Sequence, residues 1–240
     1  MLKIVKKLIK RKKTKCAAVI VAAGTSNRMQ GTDKILYLLG GEPLICHTIR
    51  AFERLALIDQ IVIVTREDLI AEIMTLCERY SFKKVAAIVP GGASRTESVM
   101  KGLDHVPTAN FVAVHDGARP FVTDEIIKNT VEKAFEVYAA APAVPVKDTI
   151  KIAYGGVVTH TPDRATLFAV QTPQVFDYDL LRGALSKALN EKTPVTDDCS
   201  AVEAVGMSVC LTAGSDENIK ITTPTDLILA EAIFKRRNSL

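Results

Sequence analysis

Three short segments, each directly after an apolar run, contain residue types that could bind phosphate groups. The first is Ala22-Ala-Gly-Thr-Ser-Asn-Arg-Met29, which is followed by Lys34. Gly24 and its small neighbours would let backbone N–H groups approach an anion, and Arg28 and Lys34 add two cations to the same loop. The segment matches neither the GxxxxGK(S/T) nor the GxGxxG pattern, which argues against a P-loop and a dinucleotide site. Taken alone, it is equally typical of a tight strand–helix connection with solvated cations.

The second segment is Pro90-Gly-Gly-Ala-Ser-Arg95-Thr-Glu-Ser98. Its two glycines would free the backbone to hydrogen-bond the planar edge of a base, and Arg95 or Ser98 would complete that contact. The same residues predict the start of a helix, because Ser94 is a good capping residue and Glu97 follows three positions later. The two interpretations are compatible.

The third segment is His115-Asp116-Gly-Ala-Arg119-Pro120. An aspartate beside a glycine and an arginine at a strand end suits a metal-bound nucleotide or the hydroxyl groups of a sugar. Asp116 is therefore the one candidate metal ligand, and an internal ion pair with Arg119 is the alternative. His115 follows Phe-Val-Ala-Val, which is more typical of a core or border histidine than of a catalytic base.

Length and composition exclude several classes of protein. With 240 residues, 48% of them hydrophobic and 24% charged, the chain can bury a large core and is neither disordered nor fibrous. Its five cysteines form no CxxC pair, so neither a zinc module nor a disulfide framework is expected. Aromatic residues make up only 5%, which disfavours stacking on single-stranded nucleic acid.

The formal net charge of +4 is concentrated at one end of the chain. Residues 1–15 contain eight lysines and arginines and no acid, and the remaining residues have 23 basic side chains against 27 acidic ones. No nucleic-acid partner is expected, because a body of that sign does not attract polyanions. The stretch 1–15 is interpreted as a basic extension, with a surface helix on an anionic membrane as the less favoured alternative. Residues 16–24 are too few to span a bilayer, so a cytoplasmic protein is expected.

The rest of the chain alternates between apolar runs and helical periods. Continuous apolar strands separated by helices predict a doubly wound, mostly parallel α/β sheet in a single domain, residues 16–240. Ligands bind at the carboxyl ends of the strands in such sheets, which is where the three segments lie. Strands are predicted at 16–22, 60–65, 85–89, 110–115, 139–146 and 208–212, and helices at 43–55, 67–80, 94–105, 123–138, from 177, near 198 and at 224–236.

Residues 148–161 interrupt this alternation. β-Branched runs flank Gly155-Gly156, which predicts an antiparallel hairpin. A two-stranded ribbon cannot bury both of its faces alone. It either packs on its own body or reaches a second subunit, and we favour the second: a symmetric dimer joined by exchanged arms.

Taken together, the segments resemble the nucleotidyltransferase fold of the 2-C-methyl-D-erythritol 4-phosphate cytidylyltransferases. The resemblance covers about residues 16–236. It departs from the family pattern at Gly117, where many relatives have alanine, and at Ala93-Ser94, where an acidic residue often stands. Its motifs are the three segments above and Pro145-Val-Lys-Asp-Thr149-Ile-Lys, Asp163-Arg164, Gln171-Thr-Pro-Gln174, Thr196-Asp-Asp198 and Asn218-Ile-Lys220.

The resemblance implies a reaction and a role for each site residue. CTP and 2-C-methyl-D-erythritol 4-phosphate would give the CDP-linked methylerythritol and pyrophosphate, a step of the non-mevalonate route to isoprenoids, with Mg²⁺ bridging the CTP phosphates. Arg28 and Lys34 would be catalytic. The implied nucleotide-binding residues are Ala22, Ala23, Gly24, Gly91, Gly92, Arg95, Ser98 and Asp116, and the implied polyol-phosphate-binding residues are Asp116, Arg119, Thr149, Arg164, Thr172 and Lys220.

Two alternatives remain open at this point. A cytidylyltransferase for another polyol phosphate, such as ribitol 5-phosphate, would share the fold, although Asp163-Arg-Ala-Thr-Leu-Phe-Ala-Val-Gln171 resembles the methylerythritol type. A non-enzymatic binder of anionic surfaces would use residues 1–15, but it would not explain cations and glycines at three strand ends. Without the resemblance, Lys220 and Arg164 would be interpreted as solvated surface cations.

Overall fold

The computed structural model describes residues 14–24 and 33–239. Valine, isoleucine and alanine runs form six strands that are parallel to one another in the central sheet, as expected for strands that are covered on both faces. They are β1 (Cys16–Ala22), β4 (Ile58–Thr65), β5 (Val85–Pro90), β6 (Phe111–Asp116), β7 (Ala139–Pro145) and β12 (Cys210–Ala213). Short strands β2 (Leu38–Leu39) and β3 (Glu42–Pro43) form a separate pair.

Two antiparallel strands complete the sheet. They are β10 (Phe168–Val170) and β11 (Gln174–Asp177), and both follow the same edge of β7. β11 also pairs with β6, so the sheet runs in the order β12, β7, β11, β6, β1, β4, β5. The three residues between β10 and β11 therefore lie next to the carboxyl ends of the parallel strands.

Helices cover both faces of the sheet. Alternate side chains of β1 point to opposite faces, so Ile20 packs in one apolar cluster and Val19 in the other. The first cluster includes α1 (Leu44–Glu53), α2 (Ile70–Arg79) and α4 (Asp124–Val137); the second includes α3 (Arg95–Leu103), α5 (Tyr178–Glu191) and α6 (Asp198–Glu203). The predicted doubly wound, mostly parallel α/β fold is confirmed.

The last helix, α7 (Pro224–Asn238), packs away from these two clusters. Its Ala230 and Ile233 contact Leu39, Leu44, Phe121 and Ile221 in a third apolar cluster. This cluster supports the loop after β6 from behind, and that loop contains Arg119.

Local sequence signals account for the helix starts, with small differences from the predicted ranges. Ser94 accepts a hydrogen bond from the backbone of Glu97, and Thr123 accepts one from Ile126, as N-cap residues do. Pro43 is the residue before α1 rather than part of its first turn. The predicted helix at 67–80 begins as a 3₁₀ turn, Glu67–Leu69, before α2.

The predicted hairpin is present as β8 (Ile152–Tyr154) and β9 (Val157–His160), a two-stranded sheet of its own. Both turn glycines, Gly155 and Gly156, have positive φ angles of 56° and 81°, which a tight hairpin turn needs. All residues of the two strands are exposed. Of the expected basic extension, only Thr14 and Lys15 are among the described residues.

Within the described ranges, no helix has the length and the apolar composition that a membrane crossing would need.

Candidate active site

A cavity of about 350 Å³ opens at the carboxyl ends of β1, β5 and β6. Parallel strands bring their carboxyl ends to one edge, so all three segments from the sequence contribute to this cavity. Its lining residues are Val21, Ala22, Ala23, Gly24, Lys34, Ile35, Gly92, Ala93, Ser94, Arg95, Ser98, Asp116, Ala118 and Lys220.

Lys34 reaches the cavity from a turn that is fixed by the residue before it. The Asp33 carboxylate accepts a hydrogen bond from the Ile35 backbone at 3.0 Å and pairs with Arg66 Nη2 at 2.6 Å. Arg66 directly follows β4, so the sheet holds the turn that carries Lys34. Sequence reasoning missed Arg66, because no motif contains it. The other predicted catalytic residue, Arg28, lies outside the described residues.

The glycine loop after β5 packs tightly against the first loop. A Cβ atom on Gly91 would lie 2.3 Å from the Cβ of Ala23, so only glycine permits this approach. The Gly91 N–H donates to the Thr65 carbonyl at 2.7 Å. The two loops can therefore form adjacent walls of one cavity.

Ser98 stabilises the same loop from inside. Its Oγ accepts a hydrogen bond from Gly92 N–H at 3.0 Å and donates to the Ser94 carbonyl at 2.9 Å. Both glycine N–H groups thus donate within the protein. The predicted contact with a base would therefore use other groups of the loop. Ser98 lines the cavity and also fixes the conformation of this loop.

Asp116 is the point at which three cations meet. Its carboxylate lies 3.0 Å from Lys220 Nζ, 3.3 Å from Arg119 Nε and 3.8 Å from Arg95 Nε. Burial alone would raise the pKa of Asp116, but the three positive charges outweigh it and lower the pKa to about 2. Asp116 is therefore ionised at neutral pH. The Asp116–Arg119 ion pair, the alternative interpretation of this segment, is present as one part of a larger cluster.

His115 is a structural residue. Its ring is fully buried, 5.0 Å from the ring of Phe52, and its two nitrogens lie near Thr172 Oγ1 (3.1 Å) and the Arg119 carbonyl (3.2 Å). Burial lowers its pKa to about 4, so the imidazole is neutral at pH 7. This agrees with its interpretation as a core histidine.

The segment Gln171-Thr-Pro-Gln174 attaches the end of β6, the stretch 215–218 and the start of α6 to the sheet. Thr172 Oγ1 accepts the Asp116 N–H at 3.1 Å. The Gln171 amide bonds both backbone groups of Ser215 (3.2 and 2.8 Å), and its Oε1 accepts from the Asn218 side chain at 3.2 Å. The Gln174 amide bonds the start of α6. The Thr172–Pro173 peptide bond is cis.

Asn218 connects this segment to the cations. The buried side chain of Asn218 donates to Gln171 Oε1 and to the Thr172 carbonyl. The backbone carbonyl of Asn218 accepts from Arg119 Nη1 at 2.6 Å. Lys220 follows two residues later in the same connection between β12 and α7. The positions of Arg119 and Lys220 around Asp116 are therefore set by one buried amide network.

The family model described as IspD, 2-C-methyl-D-erythritol 4-phosphate cytidylyltransferase, matches residues 16–236. The chain belongs to this family. Proteins of that name from Halalkalibacterium halodurans and Clostridium acetobutylicum are 46% and 45% identical over 222 and 224 residues. Each match covers 92% of this chain, and 97% and 98% of the relative.

Solved structures give the same result for the fold of this cytidylyltransferase family member. A 4-diphosphocytidyl-2C-methyl-D-erythritol synthase from Anaerococcus prevotii superposes with a TM-score of 0.84 at 32% identity, covering 93% of this chain and 97% of that one. A 2-C-methyl-D-erythritol 4-phosphate cytidylyltransferase from Thermus thermophilus gives 0.75 at 32% identity, with coverages of 92% and 99%. The expected family is confirmed.

The predicted polyol-phosphate residues divide into three groups. Asp116 and Lys220 line the cavity, whereas Arg119 and Thr172 contact Asp116 from behind the lining. Thr149 and Arg164 are exposed beside the hairpin and are not among the residues that line the cavity of their own chain. Arg164 Nη1 instead donates to the Lys147 carbonyl at 3.0 Å. Their roles in binding stay predictions.

Only one carboxylate is available to a metal in the described lining of the cavity. Among the residues that the structure describes, no group of three or more histidine, cysteine, aspartate or glutamate side chains could hold a metal ion. Asp116 is ionised but is shared among three cations. This donor set fits Mg²⁺ that binds mainly through substrate phosphates, because Mg²⁺ commonly takes one or two carboxylates and keeps its other ligands as phosphate and water.

Proposed function

We propose that this chain transfers the cytidylyl group of CTP to 2-C-methyl-D-erythritol 4-phosphate, giving the CDP-linked methylerythritol and pyrophosphate. The family match over residues 16–236, together with relatives of that name at 46% identity, is the observation that supports it. The cavity agrees with two phosphate-bearing substrates, because Lys34, Arg95 and Lys220 line it. Asp116 is the acid beside Arg95 and Lys220.

The chemistry needs no general base. The second pKa of a phosphate monoester is about 6, so the polyol phosphate is mostly a dianion at neutral pH and is already a nucleophile. One of its oxygens attacks the α-phosphorus of CTP, the bond from that phosphorus to the bridging oxygen breaks, and pyrophosphate leaves with the electron pair. A neutral, buried His115 is consistent with this scheme.

Charge compensation and positioning are then the main tasks of the protein. We assign Arg28 and Lys34 to the developing charge on the α-phosphate and the departing pyrophosphate. Lys220 and Arg164 would hold the polyol phosphate. The supporting contacts come from Ala22, Ala23, Gly24, Gly91, Gly92, Arg95, Ser98 and Asp116 on the nucleotide side, and from Asp116, Arg119, Thr149 and Thr172 on the polyol side.

Mg²⁺ is part of the proposal. When bound to the CTP phosphates it neutralises part of their charge and stabilises the leaving pyrophosphate. Asp116 is the residue of this chain that would hold it, alongside phosphate oxygens, since it is the acid in the described lining of the cavity. Lys34, itself a cation, would contact the same phosphates directly and would not contact the ion.

The substrate assignment is tested by measuring pyrophosphate release from CTP and Mg²⁺ with 2-C-methyl-D-erythritol 4-phosphate or with ribitol 5-phosphate. We expect the methylerythritol compound to be preferred by at least about 100-fold in kcat/KM, the size of effect that a few lost polar contacts produce. A preference for ribitol 5-phosphate would show that the chain is a different polyol-phosphate cytidylyltransferase. Release with neither acceptor would refute the proposed activity.

We further propose a homodimer that is joined by the hairpin arm. Tyr154, Val157 and Val158 are 75%, 70% and 53% exposed, an unusual state for apolar side chains on a short ribbon. A second copy of the chain would cover these side chains. Thr149 and Arg164 of one chain would then lie near the cavity of the other.

Deletion of residues 148–161 tests the arm. We expect the full chain to sediment as a two-chain particle and the deletion variant as a single chain, because the ribbon is a sheet separate from the main one. Circular dichroism should show that the variant keeps its helices. A variant that still sediments as two chains would exclude the arm as the joint.

We also propose that the protein works in the cytoplasm, where CTP is available and where unpaired thiols are the normal state of cysteine. All five cysteines are free in the structure. A role for residues 1–15 in membrane contact is less well supported, because the cavity explains the activity without them. Turnover should then persist after their removal, and no nucleic-acid partner is proposed.

A further inference from the structure

We infer that Asp198 and Gln174 are positioning residues that hold Arg95 on the nucleotide side of the cavity and away from Asp116. The inference rests on the proposed function, because it assigns Arg95 to CTP binding. It starts from one contact: Arg95 Nη2 lies 2.8 Å from Asp198 Oδ2. Arg95 lines the cavity, whereas the Asp198 side chain is only 1% exposed and lies behind it.

The buried carboxylate has a fixed place because the sheet holds the helix that carries it. Asp198 and Cys199 both donate their N–H groups to Gln174 Oε1, each at 3.1 Å. Gln174 Nε2 donates to Asp197 Oδ2 at 2.7 Å, and Asp197 caps α6 by accepting the Ser200 N–H. Gln174 itself is the first residue of β11. One amide therefore fastens the start of α6 to the central sheet.

The charges around Arg95 explain why its position depends on a fixed Asp198. Burial disfavours a charged guanidinium, but Asp198 and Asp116 raise the pKa of Arg95 above its ordinary value, so it stays protonated. Its second acidic neighbour is Asp116, whose Oδ1 lies 3.8 Å from Arg95 Nε and whose Oδ2 already pairs with Lys220 and Arg119. Without the charge of Asp198, the guanidinium would be drawn towards Asp116 and would compete with these two cations.

The pair could instead be a structural ion pair that only stabilises the fold. A buried pair of that kind is often replaceable at little cost when both partners change, but it is costly when one is left alone. The two interpretations differ in what they predict for substrates. A structural pair affects the folded fraction and hence both substrates equally, whereas a positioning pair affects CTP selectively.

Asp198→Asn is the decisive variant, since it removes the charge but keeps the shape. We expect the KM for CTP and the Kd for CTP measured without acceptor to rise about 10-fold, and the KM for the polyol phosphate to stay within about 2-fold. Asp198→Glu, which restores the charge, should recover at least part of the lost CTP affinity. Asp104→Asn is the matched control, because Asp104 pairs with Arg182 at 2.6 Å in an exposed position.

Gln174→Met is a second variant that tests the positioning of Arg95. It leaves all charges in place but releases the start of α6, so a smaller, CTP-selective rise in KM is expected. It decides the question if Asp198→Asn does not reach the folded state of the parent protein.

The outcomes separate this inference from the proposed function. If the parent enzyme turns over while Asp198→Asn and Gln174→Met bind CTP as the parent does, or lose both substrates equally, the positioning role is wrong and the proposed function stands. If the parent protein neither binds CTP nor releases pyrophosphate, both fail together.

Discussion

Lys34→Ala is expected to lower kcat for pyrophosphate release by about 100- to 1,000-fold, the loss that removal of one preorganised charge-stabilising group typically causes. Lys34 lines the cavity from a turn that Asp33 and Arg66 fix, so its ammonium group is placed before substrate arrives. Such a group costs little reorganisation during the reaction. Its loss should therefore affect the chemical step more than the binding of CTP.

The measurement is steady-state pyrophosphate release at saturating concentrations of both substrates. Lys128→Ala is the matched control, because Lys128 is an exposed lysine on α4 that pairs only loosely with Glu132, at 4.0 Å. Both variants should melt at the temperature of the parent protein. A Lys34→Ala rate within about 5-fold of the parent rate would remove Lys34 from the transition-state contacts that we assign to it. Arg28 lies outside the described residues, and Arg28→Ala is also expected to lower kcat.

The assembly of the site followed from the sequence because of a property of parallel sheets. The three phosphate-binding candidates lie far apart in the chain, but each follows a strand, and parallel strands end at one edge. That rule brought Gly24, Gly92 and Asp116 into one cavity without any knowledge of their contacts. The burial of His115 also followed from its apolar neighbours.

The antiparallel strands β10 and β11 could not be recognised in the same way. Their apolar residues are interrupted by Gln171-Thr-Pro, and a proline within a run argues against a central strand. The structure accommodates it because the segment turns its polar side chains inwards, to Asp116, Ser215 and Asn218. Polar residues that satisfy one another across the fold leave no periodic signal in the sequence.

Contacts between residues that are distant in the chain also could not be predicted from the sequence. Arg66 with Asp33 and Arg95 with Asp198 are ion pairs between residues that no spacing rule connects. The sequence identified Asp198 only as a residue of a family motif and did not indicate that it pairs with Arg95. Thr149 and Arg164 are exposed and do not line the cavity of their own chain, so their binding roles stay predictions.

Asp116→Asn is expected to damage both stability and activity, because it leaves Lys220 and Arg119 without their shared partner and removes the second acid beside Arg95. The pKa of Asp116 in the folded state, about 2, lies below the ordinary value of 3.8, so the ionised carboxylate stabilises the fold. A shift of that size corresponds to about 2 kcal/mol, and stranding of the cations can add about 1–2 kcal/mol more. Activity should fall at least about 100-fold, since Arg95 and Lys220 line the cavity and Arg119 holds the same carboxylate from behind it.

The pH dependence distinguishes this cause from a general packing defect. Because the pKa is lower in the folded state, the stabilisation by Asp116 is fully present above about pH 4 and is lost as the pH falls towards about 2. The difference in unfolding free energy between the parent and Asp116→Asn should therefore be constant near neutrality and shrink over that acidic range. Asp104→Asn, at an exposed pair, should change stability by less than about 0.5 kcal/mol throughout.

Urea unfolding at a series of pH values measures this difference directly. A difference that stays the same down to about pH 2 would show that the amide disturbs packing and that the carboxylate charge contributes nothing. A difference that vanishes in acid, together with the loss of activity at neutral pH, would show that one ionised group both stabilises the fold and organises the cations of the site. The requirement for a carboxylate at Asp116 would then have the same electrostatic origin in folding and in catalysis.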